Sequence, residues 1–190
     1  METATFAGGP ARYAIATVAG GCFWCTEAIF KRIKGVLEVV SGYSGGEMES
    51  PDYETVSSGS SGHAEAIQMS FDPKVISYEK LVEFFFHLHD PTTLNRQGND
   101  VGAQYRSVIF YHSDEQKETA EKVRNQIEDE HVYQNKIVTE IIPFENFYKA
   151  EEYHQSYYEK NRQAGYCRII IDPKIKKLLG EFKNEVKESA

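Results

Sequence analysis

Residues 14–27 read AIATVAGGCFWCTE, and this stretch predicts the first strand, the first helix and the turn between them. The run from Ala14 to Ala19 consists of small and β-branched residues, which predicts a buried strand, and the stretch after Trp24 predicts a helix. The two glycines between them let the backbone turn sharply. Cys22 is therefore expected at a strand-to-helix turn, where the partial positive charge of the helix N-terminus favours a thiolate over a thiol.

Two large aromatic residues, Phe23 and Trp24, follow this cysteine. Such side chains are unusual at an exposed helix start, so they predict an apolar cup beside the sulfur. A free cysteine is commonly a small buried side chain, but the glycine turn, the helix start and the aromatic neighbours favour a reactive role for Cys22. Cys25 lies on the same helical face. It could pair with Cys22 or point into the core, and the pattern leaves both open.

The composition bounds the class of protein. The chain has 190 residues and a net charge of −8, which argues against nucleic acid or an anionic membrane as the main partner. No apolar run approaches the ~20 residues of a membrane span, and no signal segment opens the chain, so a cytoplasmic location is expected. Three cysteines with one Cys-x-x-Cys pair indicate redox chemistry or metal binding. No second ligand pair has metal spacing, so no metal site is predicted.

The hydrophobic pattern predicts an α+β protein with a β-α-β-β-α-β order, which is typical of a ferredoxin-like core. An extra helix and strand, a largely irregular C-terminal tail and a last helix follow. We expect a tail at 1–12 and one catalytic domain at 13–190, including a C-terminal extension at 143–190. The predicted strands are 13–19, 36–43, 63–71, 105–111 and 137–142, and the predicted helices are 23–33, 77–89, 114–130, a short one at 150–160 and one from 172. The polar loops at 44–62 and 90–104 are long, as functional loops often are.

Glu65 is the second informative residue. It falls on the same face of its alternating strand as Ile67, Met69 and Phe71. If that face is buried, the pKa of the carboxyl should rise, and a carboxyl that stays protonated near neutral pH can act as a general acid. A strand-end glutamate can also simply reach water, and the pattern alone does not decide between the two.

Six separated motifs support the same interpretation of the chain. They are GCFW at 21–24, GYSGG at 42–46, GHAE at 62–65, QGND at 97–100, QYRS at 104–107 and GYC at 165–167. In this order they closely resemble the A-type peptide-methionine sulfoxide reductases, which act on the S epimer of methionine sulfoxide. The resemblance implies reduction of free or protein-bound methionine sulfoxide through a Cys22 sulfenic acid and an intramolecular disulfide. Thioredoxin would recycle the disulfide without any cofactor, as part of oxidative damage repair, and we expect a monomer.

The resemblance also implies roles for individual residues. These are Cys22 as nucleophile, Glu65 as acid, Tyr53 and Tyr105 as hydroxyls that bind the sulfoxide oxygen, Asp100 at the pocket rim, Phe23 and Trp24 as the wall for the S-methyl group, and Cys167 as the resolving thiol. Many members of the family have glycine where this chain has Cys25. We therefore expect Cys167, in a tail that can move, as the main resolving thiol and Cys25 as a secondary one.

Two other functions use the same residues. A thiol–disulfide oxidoreductase would exchange disulfides through Cys22-x-x-Cys25, although Phe23 and Trp24 would be awkward on a surface that must meet other proteins. A non-enzymatic zinc-binding or interaction module would need two more ligands for the cysteine pair.

Overall fold

The computed structural model describes residues 13–187, so the predicted tail at 1–12 lies outside the described residues. The strands are β1 Ala14–Gly20, β2 Val36–Ser44, β3 Ala64–Phe71, β4 Arg96–Gln97, β5 Asp100–Val101, β6 Ser107–Tyr111, β7 Glu140–Pro143 and β8 Tyr148–Lys149. The α-helices are α1 Phe23–Phe30, α2 Tyr53–Ser57, α3 Tyr78–Leu88, α4 Asp114–Asp129, α5 Tyr157–Lys160 and α6 Asp172–Glu181. Between 13 and 187, no helix is long and apolar enough to cross a membrane.

Six strands form one sheet in the order β7-β6-β1-β3-β2-β8. The central strand β1 runs antiparallel to β3 and β6, and β2 runs antiparallel to β3. Gly20 pairs with Ser107, and Tyr43 pairs with Glu65. Because β1 and β3 are antiparallel neighbours with Val18 opposite Ile67, the end of β1 and the start of β3 lie side by side at the same end of the sheet. This brings the glycine turn close to Glu65.

Both faces of the sheet are covered, which makes the chain a mixed α+β protein around a sheet. On one face, Ile67 and Met69 of β3 pack into a core with Ile29 of α1, Phe85 of α3 and Leu178 of α6. The other face has a smaller cluster made of Ala19, Val40, Ala64, Ala66, Val108, Phe110 and Phe147. The alternation of β3 thus separates two apolar environments, and Glu65 belongs to the larger one.

The predicted bounds need three corrections in the first two thirds of the chain. Helix α1 ends at Phe30 rather than at 33, because Ile33 leaves the helix to form a bridge with Val186. The loop at 44–62 contains α2, which is stabilised by a capping box between Asp52 and Thr55. The loop at 90–104 contains the β4–β5 hairpin and a short 3₁₀ helix at Ala103–Tyr105.

The C-terminal extension is more regular than predicted. Strand β8 joins the sheet edge, and the short helix covers 157–160 rather than 150–160. The expected irregular segment around Cys167 is wrong, because Cys167–Ile171 forms a π-helical turn that runs directly into α6. The start of α6 with a proline in its first turn matches the predicted position at Asp172-Pro173.

Candidate active site

Cys22 lies at the predicted strand-to-helix turn, as the residue that precedes the first turn of α1. Gly21 has a φ of +84°, and a Cβ there would approach Cγ of Gln97 to 2.5 Å, so the turn requires glycine. The side chain is only 6% exposed. Burial raises the pKa of the Cys22 thiol, and Cys25 and Glu65 raise it further. The direction of this shift is opposite to the one predicted from the helix N-terminus, because desolvation of the sulfur is the larger effect.

Cys25 interacts directly with Cys22. Hydrogen bonding to Cys22 lowers the pKa of Cys25 to about 7, whereas the same interaction raises the pKa of Cys22. Opposite shifts of this kind are expected when two adjacent thiols share one proton, so the first thiolate belongs to the pair rather than to either cysteine alone. The pair can therefore supply a thiolate close to neutral pH.

Glu65 is buried at the start of β3, with 2% of its surface exposed. Burial raises the pKa of its carboxyl to about 8, and the charge of Asp100 adds to the rise. Its Oε2 accepts a hydrogen bond from the backbone N–H of Phe23 at 3.0 Å, which opposes the rise. This N–H is the first of helix α1, so the helix start faces the carboxyl of Glu65. At neutral pH the carboxyl is protonated and lies beside the Cys22 sulfur.

Tyr53 and Tyr105 place two phenol hydroxyls near Cys22 and Glu65. Burial raises the pKa of both phenols, and the charges of Glu65 and Cys22 raise it further, as expected when both lie close to these groups. Tyr53 begins α2, and its backbone N–H donates to the carboxylate of Glu151 at 2.8 Å. Tyr105 ends the 3₁₀ helix that follows the β4–β5 hairpin.

Phe23 and Trp24 form an aromatic wall next to the cysteines. Phe23 is fully buried and contacts the rings of Tyr43 and His154, with centroid distances of 5.8 and 5.0 Å. Trp24 stacks on Tyr157 with ring centroids 3.7 Å apart and an interplanar angle of 7°. Its Nε1–H donates to Nδ1 of the buried His154 at 3.0 Å. The indole is thus fixed on one side and partly exposed on the other.

Tyr166 connects the aromatic wall to the sulfurs and to Asp100. Its hydroxyl donates to Oδ2 of Asp100 at 2.9 Å and lies 3.8 Å from the Cys25 sulfur. It also hydrogen-bonds to Cys22, and its ring meets Trp24 edge-on at 5.6 Å. Tyr166 therefore contacts both sulfurs.

Sequence reasoning missed four contributors to this site, namely Glu151, His154, Tyr157 and Tyr166. All four come from the extension predicted to be largely irregular. Apart from the GYC motif at 165–167, the signal there was its many tyrosines, which carry no periodicity that could orient them. Their positions are set by contacts with residues more than 60 positions away, which a local pattern cannot reveal.

Cys167 is near the site but is not exposed in a tail. It is fully buried, and its π turn packs against α1. Burial raises the pKa of its thiol, and the charges of Asp172, Cys25 and Glu159 add to the rise. All three cysteines are free thiols. Within residues 13–187, no group of three or more His, Cys, Asp or Glu side chains is arranged to hold a metal ion.

The described residues bring together a buried thiol pair, a buried carboxyl with a raised pKa, two phenols and an aromatic wall. A buried thiol beside an acid is typical of a thiol-dependent enzyme. The model of the peptide methionine sulfoxide reductase family matches residues 14–187. The peptide methionine sulfoxide reductase MsrA of Sulfolobus acidocaldarius is 55% identical over 168 residues, covering 88% of this chain and 94% of that protein. MsrA of Thermus thermophilus is 52% identical over 170 residues, covering 90% and 96%.

Solved structures of related proteins are also similar to this chain. Mxr1 from Saccharomyces cerevisiae in its reduced form matches with a TM-score of 0.78 and 40% identity, covering 86% of this chain and 94% of that one. Mxr1 in complex with Trx2 matches with a TM-score of 0.57 and 34% identity, covering 81% and 91%. The chain belongs to the peptide methionine sulfoxide reductase family. It is an oxidoreductase of that family, and the resemblance carried by the six motifs is confirmed.

Proposed function

We propose that the chain reduces the S epimer of methionine sulfoxide, free or in proteins, to methionine and so repairs oxidative damage. The observation that carries this proposal is the buried carboxyl of Glu65, which hydrogen-bonds to the start of α1 beside Cys22 and whose pKa burial raises to about 8. A sulfoxide sulfur is a poor electrophile until its oxygen is protonated, so the reaction needs an acid and a thiolate in the same small space. The buried carboxyl supplies the acid, and the cysteine pair supplies the thiolate.

In this mechanism the S-methyl group contacts Phe23 and Trp24, and the sulfoxide oxygen faces Glu65 and the two phenols, Tyr53 and Tyr105. The Cys22 thiolate attacks the sulfoxide sulfur while Glu65 transfers its proton to the oxygen. The S–O bond of the substrate breaks as an S–O bond forms on Cys22. The products are methionine and a Cys22 sulfenic acid. Asp100 is at the rim, and its hydrogen bond holds Tyr166, which must move aside to admit the substrate.

The sulfenic acid then condenses with a second thiol, Cys25 or Cys167, which releases water and forms an intramolecular disulfide. A dithiol reductant of the thioredoxin type restores the thiols by exchange. The structure of Mxr1 with Trx2 shows a related protein with such a partner, which supports the same assignment for this chain. The chain acts as a monomer, and the cycle uses no cofactor.

We also propose that the sheet is a ferredoxin-like core in a single catalytic domain that includes the extension from residue 143. Its support is the order β6-β1-β3-β2 with antiparallel neighbours, in which α1 and α3 make the two crossovers. This is the split β-α-β arrangement. The family match, which ends at residue 187, supports one domain.

Catalysis can be separated from general disulfide exchange by one comparison. With dithiothreitol as reductant, we expect turnover on methionine sulfoxide and much slower reduction of a protein disulfide such as insulin. The reason is that both sulfurs of the pair are buried, Cys25 almost completely. Cys22→Ser should abolish sulfoxide reduction. Rapid reduction of insulin without any turnover on methionine sulfoxide would favour the oxidoreductase alternative.

A further inference from the structure

We propose that Glu151 is a positioning residue, which holds the phenol of Tyr53 in the place where it meets the sulfoxide oxygen. This inference rests on the proposed function, because it takes Tyr53 as one of the two phenols that bind this oxygen. Glu151 lies between β8 and α5, far from the catalytic residues in the sequence. Its carboxylate fixes where the Tyr53 phenol lies relative to the Glu65 carboxyl.

Both oxygens of the Glu151 side chain accept hydrogen bonds. Oε1 accepts from the backbone N–H of Tyr53 at 2.8 Å, and Oε2 accepts from the hydroxyl of Tyr43 at 2.8 Å. Burial alone would raise the pKa of the Glu151 carboxyl, but hydrogen bonds from Tyr53, from its own backbone N–H and from Tyr43 outweigh burial and lower the pKa. The side chain is therefore a carboxylate at neutral pH, and hydrogen bonds to a charged acceptor are the stronger kind. Such a group holds its donors in place and has no proton to give.

Tyr43 connects this carboxylate to the catalytic acid. Tyr43 is fully buried in β2, and it lies directly opposite Glu65 of β3 in the register of the sheet. Opposite residues of an antiparallel pair have Cβ atoms roughly 4.5–5.5 Å apart. Glu151 therefore ties the start of α2, and with it Tyr53, to the strand pair that carries Glu65.

The turn that carries Glu151 is itself fixed to the sheet. Gln155 is buried, and its Oε1 accepts from the backbone N–H of Ser41 of β2 at 3.0 Å. Its Nε2 donates to the carbonyls of Ser41 and Ala150 at 2.9 Å each. The backbone N–H of Ala150 also donates to the carbonyl of Ser41 at 3.0 Å. Hydrogen bonds on both sides of Glu151 in the sequence thus hold this turn on β2.

The same turn holds Tyr53 at a second point. The Tyr53 ring packs against the imidazole of His154 with ring centroids 4.6 Å apart, and the backbone N–H of His154 donates to the carbonyl of Glu151 at 2.9 Å. Helix α2 has only five residues, so it contributes little rigidity of its own. Loss of the Glu151 carboxylate would let the start of α2 shift. A misplacement on the order of 1 Å near a reacting group can cost about 10²-fold in rate.

The two phenols allow a test that separates positioning from a general structural role. In a Tyr105→Phe background Tyr53 is the remaining phenol, so Glu151→Ala should slow the reduction step ~10–100-fold. In a Tyr53→Phe background there is no hydroxyl to position, so the same substitution should change the rate by less than about threefold. The measurement is rapid-quench release of the first methionine per chain, with fully reduced protein, saturating S epimer of methionine sulfoxide and no reductant.

Glu152→Ala is the matched control. Glu152 is the next residue in the turn, but its side chain is 77% exposed and pairs with Lys149 at 3.3 Å. Its substitution should leave the rate unchanged in both backgrounds. Thermal melting of each variant checks that it is folded. If Glu151→Ala does not fold, Glu151→Asp takes its place, because aspartate is one methylene shorter and cannot reach both donors, and the same contrast between backgrounds is expected.

Equal slowing by Glu151→Ala in the two backgrounds would overturn the proposal, since a merely structural role affects both alike. A rate that Glu151→Ala leaves unchanged in the Tyr105→Phe background would also overturn it, as would an equal effect of Glu152→Ala. These outcomes leave the proposed function intact, because methionine is still made. Failure of the wild type to make methionine would instead refute the proposed function.

Discussion

Glu65→Gln should slow the chemical step and remove the fall in rate that the wild type shows at alkaline pH. The pKa of the Glu65 carboxyl is raised from 4.5 to about 8, chiefly by burial. With that value about nine in ten molecules carry the catalytic proton at pH 7, against roughly one in 300 for an ordinary glutamate. Glutamine keeps a similar shape but cannot release a proton, so we expect single-turnover rates to fall ~10²–10⁴-fold.

The wild-type pH profile should be bell-shaped. The rising limb near pH 7 reports the thiol pair, and the falling limb near pH 8 reports loss of the Glu65 proton. From pH 7 to pH 9 the protonated fraction drops roughly tenfold, and the rate should follow once the rising limb has levelled off. Rapid quench of single turnovers between pH 5.5 and 10 measures both limbs.

Glu27→Gln is the matched control for this experiment. Glu27 is also buried, but its Oε1 accepts hydrogen bonds from Nζ of Lys31 at 2.8 Å and from the backbone N–H of Ser156 at 2.9 Å. Its variant should keep the falling limb, whereas Glu65→Gln should lose it. A Glu65→Gln profile that still falls near pH 8, or a rate within a few-fold of the wild type, would refute the reasoning.

Two further predictions concern stability and binding. Because burial raises the folded-state pKa of Glu65, its contribution to stability is present below about pH 4.5 and is lost as the pH rises to about 8. Relative to Glu65→Gln, the free energy of unfolding of the wild type should therefore decline by up to about 5 kcal/mol between these pH values. Urea titrations of both proteins across this range measure the difference. A difference that stays constant with pH would contradict the burial of Glu65. Trp24→Ala should weaken substrate binding by ~1–3 kcal/mol, since it removes the wall for the S-methyl group. Equilibrium binding to a Cys22→Ser background measures this, and an unchanged affinity would make Trp24 only a packing residue.

The parts of the site that depend on local patterns could be predicted from the sequence. The strand, the glycine turn and the helix around Cys22 follow from residue types within one short stretch. The face on which Glu65 lies follows from a period of two along β3. Its burial does not, because residues on both faces of the strand are buried and the pattern could not exclude a solvent-facing strand end. Tyr53, Tyr105 and Asp100 were named only through the family resemblance, because their positions depend on how two loops fold over the sheet.

The remaining features depend on contacts between distant segments. Sequence alone predicts a thiolate at Cys22 from the helix N-terminus, but burial of the sulfur shifts its pKa in the opposite direction. Cys167 was expected in a mobile tail, since no periodicity marks 143–171. Its π turn is stabilised by packing against α1 and α6, which no local signal indicates.

The central claim is that Cys22, assisted by Glu65, reduces one epimer of methionine sulfoxide. The most direct test mixes reduced protein with equal amounts of both epimers, without reductant, and follows each epimer by chiral chromatography. The account predicts that methionine appears at the expense of the S epimer alone, that the chain loses free thiols in step with it, and that Cys22→Ser forms none. Equal consumption of both epimers, or methionine formation by Cys22→Ser, would contradict it.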